Sequence, residues 1–229
     1  ARLKSKFLMK YISILIISFL FYGCTASGNY FLESGIEEYK AGNYYESLRL
    51  LNEAVKEDPA NADIYFHSAR VKIKLNYWQG ALEDLTTAIN LNPSFKEAFS
   101  ARALLYVNNK EYKKAIYDYD KIIEINYSDT SAFFNRAYSK NEIGDLNGAI
   151  EDYTKVISLD PSNEKAYVNR GNIKGILENN KGAIEDFTKA IQINPFDYNA
   201  FLNRGNDKIM IGEFREAIDD FNKAAELNP

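Results

Sequence analysis

The sequence predicts an all-α solenoid built from six helix–turn–helix repeats of 34 residues. Three observations predict it. A block recurs: Ala149–Pro161 reads AIEDYTKVISLDP, and it returns as AIEDFTKAIQINP at Ala183–Pro195 and AIDDFNKAAELNP at Ala217–Pro229. Earlier copies are SLRLLNEAVKEDP (Ser47–Pro59), ALEDLTTAINLNP (Ala81–Pro93) and AIYDYDKIIEINY (Ala115–Tyr127). The closing residues Pro59, Pro93, Tyr127, Pro161, Pro195 and Pro229 are each 34 residues apart, and a fixed period of this size marks stacked repeats. Finally, every repeat offers two apolar stripes at helical spacing.

The first segment, residues 1–27, lies outside the repeats. Residues 1–23 read as a signal peptide: the apolar run 11–22 is 12 residues long, short for a span, and Lys10 with the bases before it forms a positive flank. Met9-Lys10 is a natural start, which leaves 1–8 as an upstream extension. Gly23-Cys24 resembles the bacterial lipoprotein signal, in which a small residue precedes the cysteine that is lipidated. Phe21 and Tyr22 are bulkier than the residues usual there. The resemblance implies lipidation of Cys24, a tether over 24–27 and a membrane-anchored protein of the bacterial cell envelope, on the periplasmic side or cell surface. Several acyl chains on one cysteine suffice to hold a protein on a bilayer.

The repeats run 28–61, 62–95, 96–129, 130–163, 164–197 and 198–229. In the fifth, Ala166, Tyr167, Arg170, Gly171 and Lys174 share a face of a first helix. Ala183, Ile184, Phe187, Ala190 and Ile191 share a face of a second. Turns fall at Gly144-Asp145, Glu178-Asn179 and Gly212-Glu213. The closing Asn/Asp-Pro ends each second helix, because proline cannot continue it and disfavours helical geometry in the residue before.

Two helices per repeat, small residues at fixed places and a terminal proline resemble the tetratricopeptide repeat from Gly28 to Pro229. The small positions are Gly35, Ser47, Ala54; Ala69, Ala81, Ala88; Ala103, Ala115, Ile122; Ala137, Ala149, Val156; Gly171, Ala183, Ala190; and Gly205, Ala217, Ala224. The resemblance implies a right-handed superhelix. Ser47, Ile122, Val156 and Tyr127 depart from the pattern and predict looser packing around the third and fourth repeats. The chain stops at Pro229 without the polar capping helix that usually closes such arrays. That predicts an exposed apolar edge on the last helix, from truncation or from self-association as a homo-oligomer.

Charged residues recur inside the pattern: Asp84, Asp118, Asp152, Asp186 and Asp220, with Arg102, Arg136, Arg170 and Arg204. They flank core positions, and a ladder of partly buried ion pairs is expected, since the planar fork of arginine can satisfy a carboxylate bidentately. Two registers fit. Pairing each Asp with the Arg of the next repeat (84 with 102, 118 with 136) leaves Asp220 alone; pairing within a repeat leaves Asp84 facing Ser68. The first is slightly preferred.

Function classes narrow quickly. Residues 1–23 carry four bases and no acid, so the rest has 24 bases against 32 acids, a net charge of −8. Such a body does not suit nucleic acid, which is bound by neutralising phosphates. One cysteine and one histidine leave little for a metal site. No phosphate-cradling glycine loop or nucleophile motif occurs, so neither catalysis nor a cofactor is expected. The tetratricopeptide resemblance implies instead a protein–protein scaffold that holds a peptide or partner protein along its first helices. Those positions carry Phe66, His67, Arg70; Ser100, Ala101, Leu104; Phe134, Asn135, Tyr138, Asn141; Val168, Asn169, Asn172; and Leu202, Asn203, Asn206. Asn135, Asn169 and Asn203, with Asn172 and Asn206 a turn on, form the candidate recognition row, because an amide can both donate to and accept from a peptide backbone. Phe134, Val168 and Asn199 stand where a carboxylate clamp needs lysines. His67 beside Phe66 reads as a packing residue. The alternatives are a structural module stacking through its last repeat, and an accessory domain of a longer envelope protein.

Overall fold

The computed structural model describes residues 29–228, and residues 1–28, with the signal and Cys24, lie outside it. Twelve α-helices and no strand occur among the described residues. They are α1 (29–41), α2 (Tyr44–Glu57), α3 (Ala62–Lys74), α4 (Trp78–Leu91), α5 (Lys96–Asn108) and α6 (Tyr112–Ile125). Then follow α7 (Thr130–Glu142), α8 (Leu146–Leu159), α9 (Glu164–Ile176), α10 (Asn180–Ile193), α11 (Tyr198–Met210) and α12 (Phe214–Leu227). The chain divides within α5 into two compact units, one ending at Leu105 and the other starting at Tyr106. In the second unit α7 packs on α8, α9 on α10 and α11 on α12, and each pair meets the next through α8 with α9 and α10 with α11. In the first, α2 meets α3 and α3 packs on α4. The helix–turn–helix repeat expected from the sequence is therefore the fold.

Each hairpin turns on one left-handed residue at the same place in the repeat. Gly42, Gly144 and Gly212 have φ of 82° to 84°, and Asn76, Lys110 and Glu178 have φ near 60° (62°, 60° and 59°). The bonds around them are regular: Gly144 N donates to Asn141 O while Asp145 N reaches Lys140 O, and the others repeat the pattern. This double closure satisfies carbonyls that a helix end would otherwise orphan. First helices start on Asn61, Asp129, Asn163 and Asp197, whose side chains accept from backbone N–H groups of the first turn. Second helices end on extended residues, among them Asn92 and Asn194. Asn126 adopts the same geometry (φ −139°, ψ 95°) although Tyr127 follows it in place of proline. Tyr127 fixes that bend by packing, with its ring 5.9 Å from Phe133 and under the Lys155 ammonium at 4.4 Å.

The small positions are where the helices touch. Ala81, Ala115, Ala149 and Ala183 are fully buried, and so are Ala69, Ala103 and Ala137. In the fifth and sixth repeats glycine takes the first-helix place and a phenylalanine lies over it. A Cβ on Gly171 would stand 3.0 Å from Phe187 Cε1, and one on Gly205 only 2.6 Å from Phe221 Cε1. The looser packing expected around Ile122 and Val156 is not found: both are as buried as the alanines at that place in other repeats, and Tyr119 and Tyr153 are buried as well. Ser47 is buried too and donates its hydroxyl to Gly35 O at 2.6 Å. On α12, Phe214 and Ile218 are more than half exposed.

The ion pairs correct the preferred register, because pairing runs within the repeat. Arg136 grips Asp152 with Nε and Nη2 (2.8 and 2.6 Å), and Arg170–Asp186 and Arg204–Asp220 repeat the bidentate grip. Asp220 is not left alone, and Asp84, where Ser68 supplies no fork, pairs with Lys72 at 2.6 Å instead of Arg102. Asp118 and Arg102 belong to different units and are each buried. The reason for the register is that the third arginine nitrogen already has a partner in the preceding repeat. Arg136 Nη1 donates to Asp120, and Arg102, Arg170 and Arg204 donate to Thr86, Thr154 and Thr188. A second cation completes each acid: Lys140, Lys174 and Lys208 lie 2.8–2.9 Å from Asp152, Asp186 and Asp220. Burial alone would raise the Asp220 carboxyl, but the bonds from Arg204 and Lys208 outweigh it and hold the group below its ordinary value. Burial likewise opposes the Arg136 charge, and the bonds to Asp152 and Asp120 override it and raise its pKa. The first repeat lacks the pair altogether and places Ser34 and a buried Leu50 there.

Removing one member of such a pair leaves a buried charge underpaired, which costs about 3–5 kcal/mol when nothing compensates. With Lys174 still in place, Arg170→Ala is expected to destabilise by about 2–3 kcal/mol. Replacing all three partners, Arg170→Met and Lys174→Met with Asp186→Leu, is expected to recover most of that. Urea midpoints measure both, and an Arg170→Ala midpoint equal to that of the parent chain would remove the pair from the stability argument.

Candidate partner-binding face

The candidate face of the second unit is carried by α7, α9 and α11, and it begins with aromatic packing. Phe134 stands edge-on to the buried Tyr153 at 5.3 Å, and Tyr138 stands edge-on to Tyr112 at 6.3 Å. Phe134 is half-buried, whereas Tyr138 keeps an exposed edge. Leu202 adds an exposed apolar side chain from α11.

The asparagine row is present, but its members are not equivalent. Asn169 donates to Tyr153 Oη at 3.2 Å, and Asn203 donates to Asn172 Oδ1 at 2.9 Å. The second bond joins consecutive first helices, α9 and α11, which are in contact. These amides therefore hold the face together while keeping capacity for a ligand: Asn169 and Asn203 retain their carbonyl oxygens, and Asn172 retains its N–H groups. Asn135 and Asn141 are half-buried, and Asn206 is exposed. Tyr119, the counterpart of Tyr153, has a buried hydroxyl with no hydrogen-bond partner, and burial, then the charge of Asp118, pushes it up to about 12.

Beside Asn169 lies a pocket of about 490 Å³ between the start of α9 and the loop into α11. Its wall includes Glu164, Val168, Asn169, Phe196, Asp197 and Asn199. Phe196 is the most exposed large apolar residue described, at 77%. Glu164 and Asp197 share a hydrogen bond across the pocket. Burial, followed by that bond and the Asp197 charge, raises the Glu164 carboxyl to about 7, with Lys165 pulling the other way. Sequence reasoning passed over this pocket. The signal was a break in the repeat: Phe196 occupies the place of Ala60, Ser94, Ser128 and Ser162. Lys72, Lys140, Lys174 and Lys208 were also missed as ion-pair partners, although three of them follow an arginine by four residues. Among the described residues no helix is long and apolar enough to cross a membrane.

Comparison with known proteins places this geometry. Family models of the tetratricopeptide repeat match residues 68–129 and 164–197, and a TPR repeat model matches 138–175. Comparison with curated proteins gives no match. Among solved structures, YrrB, a TPR protein with an unusual peptide-binding site, superposes with a TM-score of 0.70 at 19% identity, covering 78% of this chain and 92% of its own. MamA from Desulfovibrio magneticus RS-1 gives 0.68 at 19% identity, covering 75% and 97%. A tetratricopeptide repeat protein from Parabacteroides merdae ATCC 43184 gives 0.58 at 25% identity, covering 88% and 79%. The first two likenesses establish the fold alone.

The Glu164–Asp197 pair sets a pH dependence with a definite sign. Folded Glu164 keeps its proton to about pH 7, whereas unfolded it loses it near its ordinary 4.5, so stability falls as pH rises through that window. Glu164→Gln keeps a neutral donor toward Asp197. Its melting temperature is expected to match that of the parent near pH 4.5 and exceed it at pH 8. Superimposable melting profiles for the two proteins would show that the pair is not the source.

Proposed function

We propose that this chain, a tetratricopeptide repeat protein, is a non-catalytic scaffold that is held at a bacterial membrane through lipidated Cys24 and binds an extended peptide or partner protein along α7, α9 and α11. The observation that carries the binding reading is the part-exposed row of Asn135, Asn169, Asn172, Asn203 and Asn206, flanked by Phe134 and Tyr138. An extended peptide presents N–H and C=O groups in alternation, and amides answer both. The aromatic edges and the pocket beside Phe196 offer room for side chains, and apolar sites with few fixed polar groups are the usual form of a binding site. YrrB, which shares the fold, has a peptide-binding site, and that makes a peptide the natural class of ligand to test.

Changing Asn135, Asn169 and Asn203 together to alanine is expected to remove the partner from pull-downs of the anchored protein while the far-ultraviolet helical signal remains. A partner retained by the folded triple variant would displace the row from the interface. For the anchor, Cys24→Ala is expected to move the protein from the membrane fraction to the soluble fraction. An unchanged partition would refute lipidation at that residue.

A further inference from the structure

The first unit holds an arginine of a different kind from those that bridge repeats. The Arg70 guanidinium lies over the Tyr39 ring at 4.7 Å and the Phe66 ring at 5.8 Å. Phe66 in turn packs on Phe95, with ring centroids 4.9 Å apart. The floor is therefore aromatic and is drawn from α1, α3 and the segment before α5. Contact with ring faces takes up none of the hydrogen-bonding capacity of a guanidinium, so its N–H donors stay open to a ligand. Among them Nη1 has one contact, His67 Nδ1 at 3.5 Å, the outer limit of a hydrogen bond.

No carboxylate forms an ion pair with Arg70 among the described residues, whereas Arg136, Arg170 and Arg204 each hold one with two nitrogens. Burial, then the Arg70 charge, lowers the His67 pKa, and Lys40 adds to this while Asp63 alone opposes. A half-buried fork with unfilled donors on an apolar floor is complementary to an anion that carries an apolar stem.

We propose that Tyr39, Phe66, His67 and Arg70 form a receptor for the side-chain carboxylate of a glutamate in an extended peptide. The fork of Arg70 takes the two oxygens, and the rings take the methylenes of the glutamate. The site is independent of the amide row on α7, α9 and α11, and it stands or falls separately from it.

Titration calorimetry on the full chain in detergent tests it, with three probes: acetyl-Ala-Tyr-Glu-Tyr-Ala-amide, the same peptide with Gln for Glu, and the Gln peptide with a free C-terminal carboxylate. The Glu peptide is expected to bind about tenfold tighter than the amidated Gln peptide, the scale of a charge-assisted bidentate bond. Arg70→Gln is expected to abolish the preference, and the triple asparagine variant to keep it. Arg70→Lys, which retains a charge but no fork, is expected to keep only part, and it carries the test if Arg70→Gln fails to fold by circular dichroism. Equal binding of the Glu and amidated Gln peptides, or a preference that survives Arg70→Gln, overturns the proposal. Tightest binding by the free-terminus probe, lost in Arg70→Gln, overturns it in favour of a chain terminus as ligand.

Discussion

The arrangement depends on one contact that joins three helices. An arginine in the first helix of a repeat grips the aspartate 16 residues later with two nitrogens, and its third nitrogen reaches the side chain 16 residues earlier. The later partner lies in its own hairpin, and the earlier one in the second helix of the preceding repeat. Closing a hairpin and stacking it on its neighbour are thus done by the same side chain. In a linear array stability is a sum of repeat terms and nearest-neighbour terms, and Arg136, Arg170 and Arg204 contribute to both. Alanine and glycine at the helix contacts bring the fork close enough to do so.

The fold was legible because the constraint is periodic. A 34-residue spacing, small residues at fixed offsets and a helix-ending Asn/Asp-Pro each have a single physical reading. The partner of each aspartate was less legible. Sequence alone set each arginine 18 residues after one aspartate and 16 before the next, and the choice between them lay in geometry that spacing does not show. Lys72 shows the same limit, since only geometry reveals that it replaces the missing fork opposite Asp84.

The face is legible in kind but not in detail. Asparagines at 34-residue intervals look equivalent on paper. In the fold Asn203 bonds Asn172, whereas Asn169 bonds the Tyr153 hydroxyl, because the position that holds Tyr153 in one repeat holds Phe187 in the next. Tyr119, at that same place before Asn135, makes no such bond, so the residue pair alone does not decide the partner. Places where the repeat breaks, such as Phe95 and Phe196 after the closing proline, carry the local chemistry, as expected when the regular positions are committed to stacking.

The two-way reach of the arginine has a consequence for rebuilding the array. A repeat moved to another place keeps its own aspartate but meets a new residue 16 positions upstream. Grafted behind a repeat with threonine or aspartate there, as at Thr86, Asp120, Thr154 or Thr188, the fork finds its third acceptor. Behind an apolar residue the fork loses that acceptor, and with it the bond to the preceding repeat. The modular unit for transplantation is therefore not one 34-residue repeat but a repeat together with the second helix that precedes it.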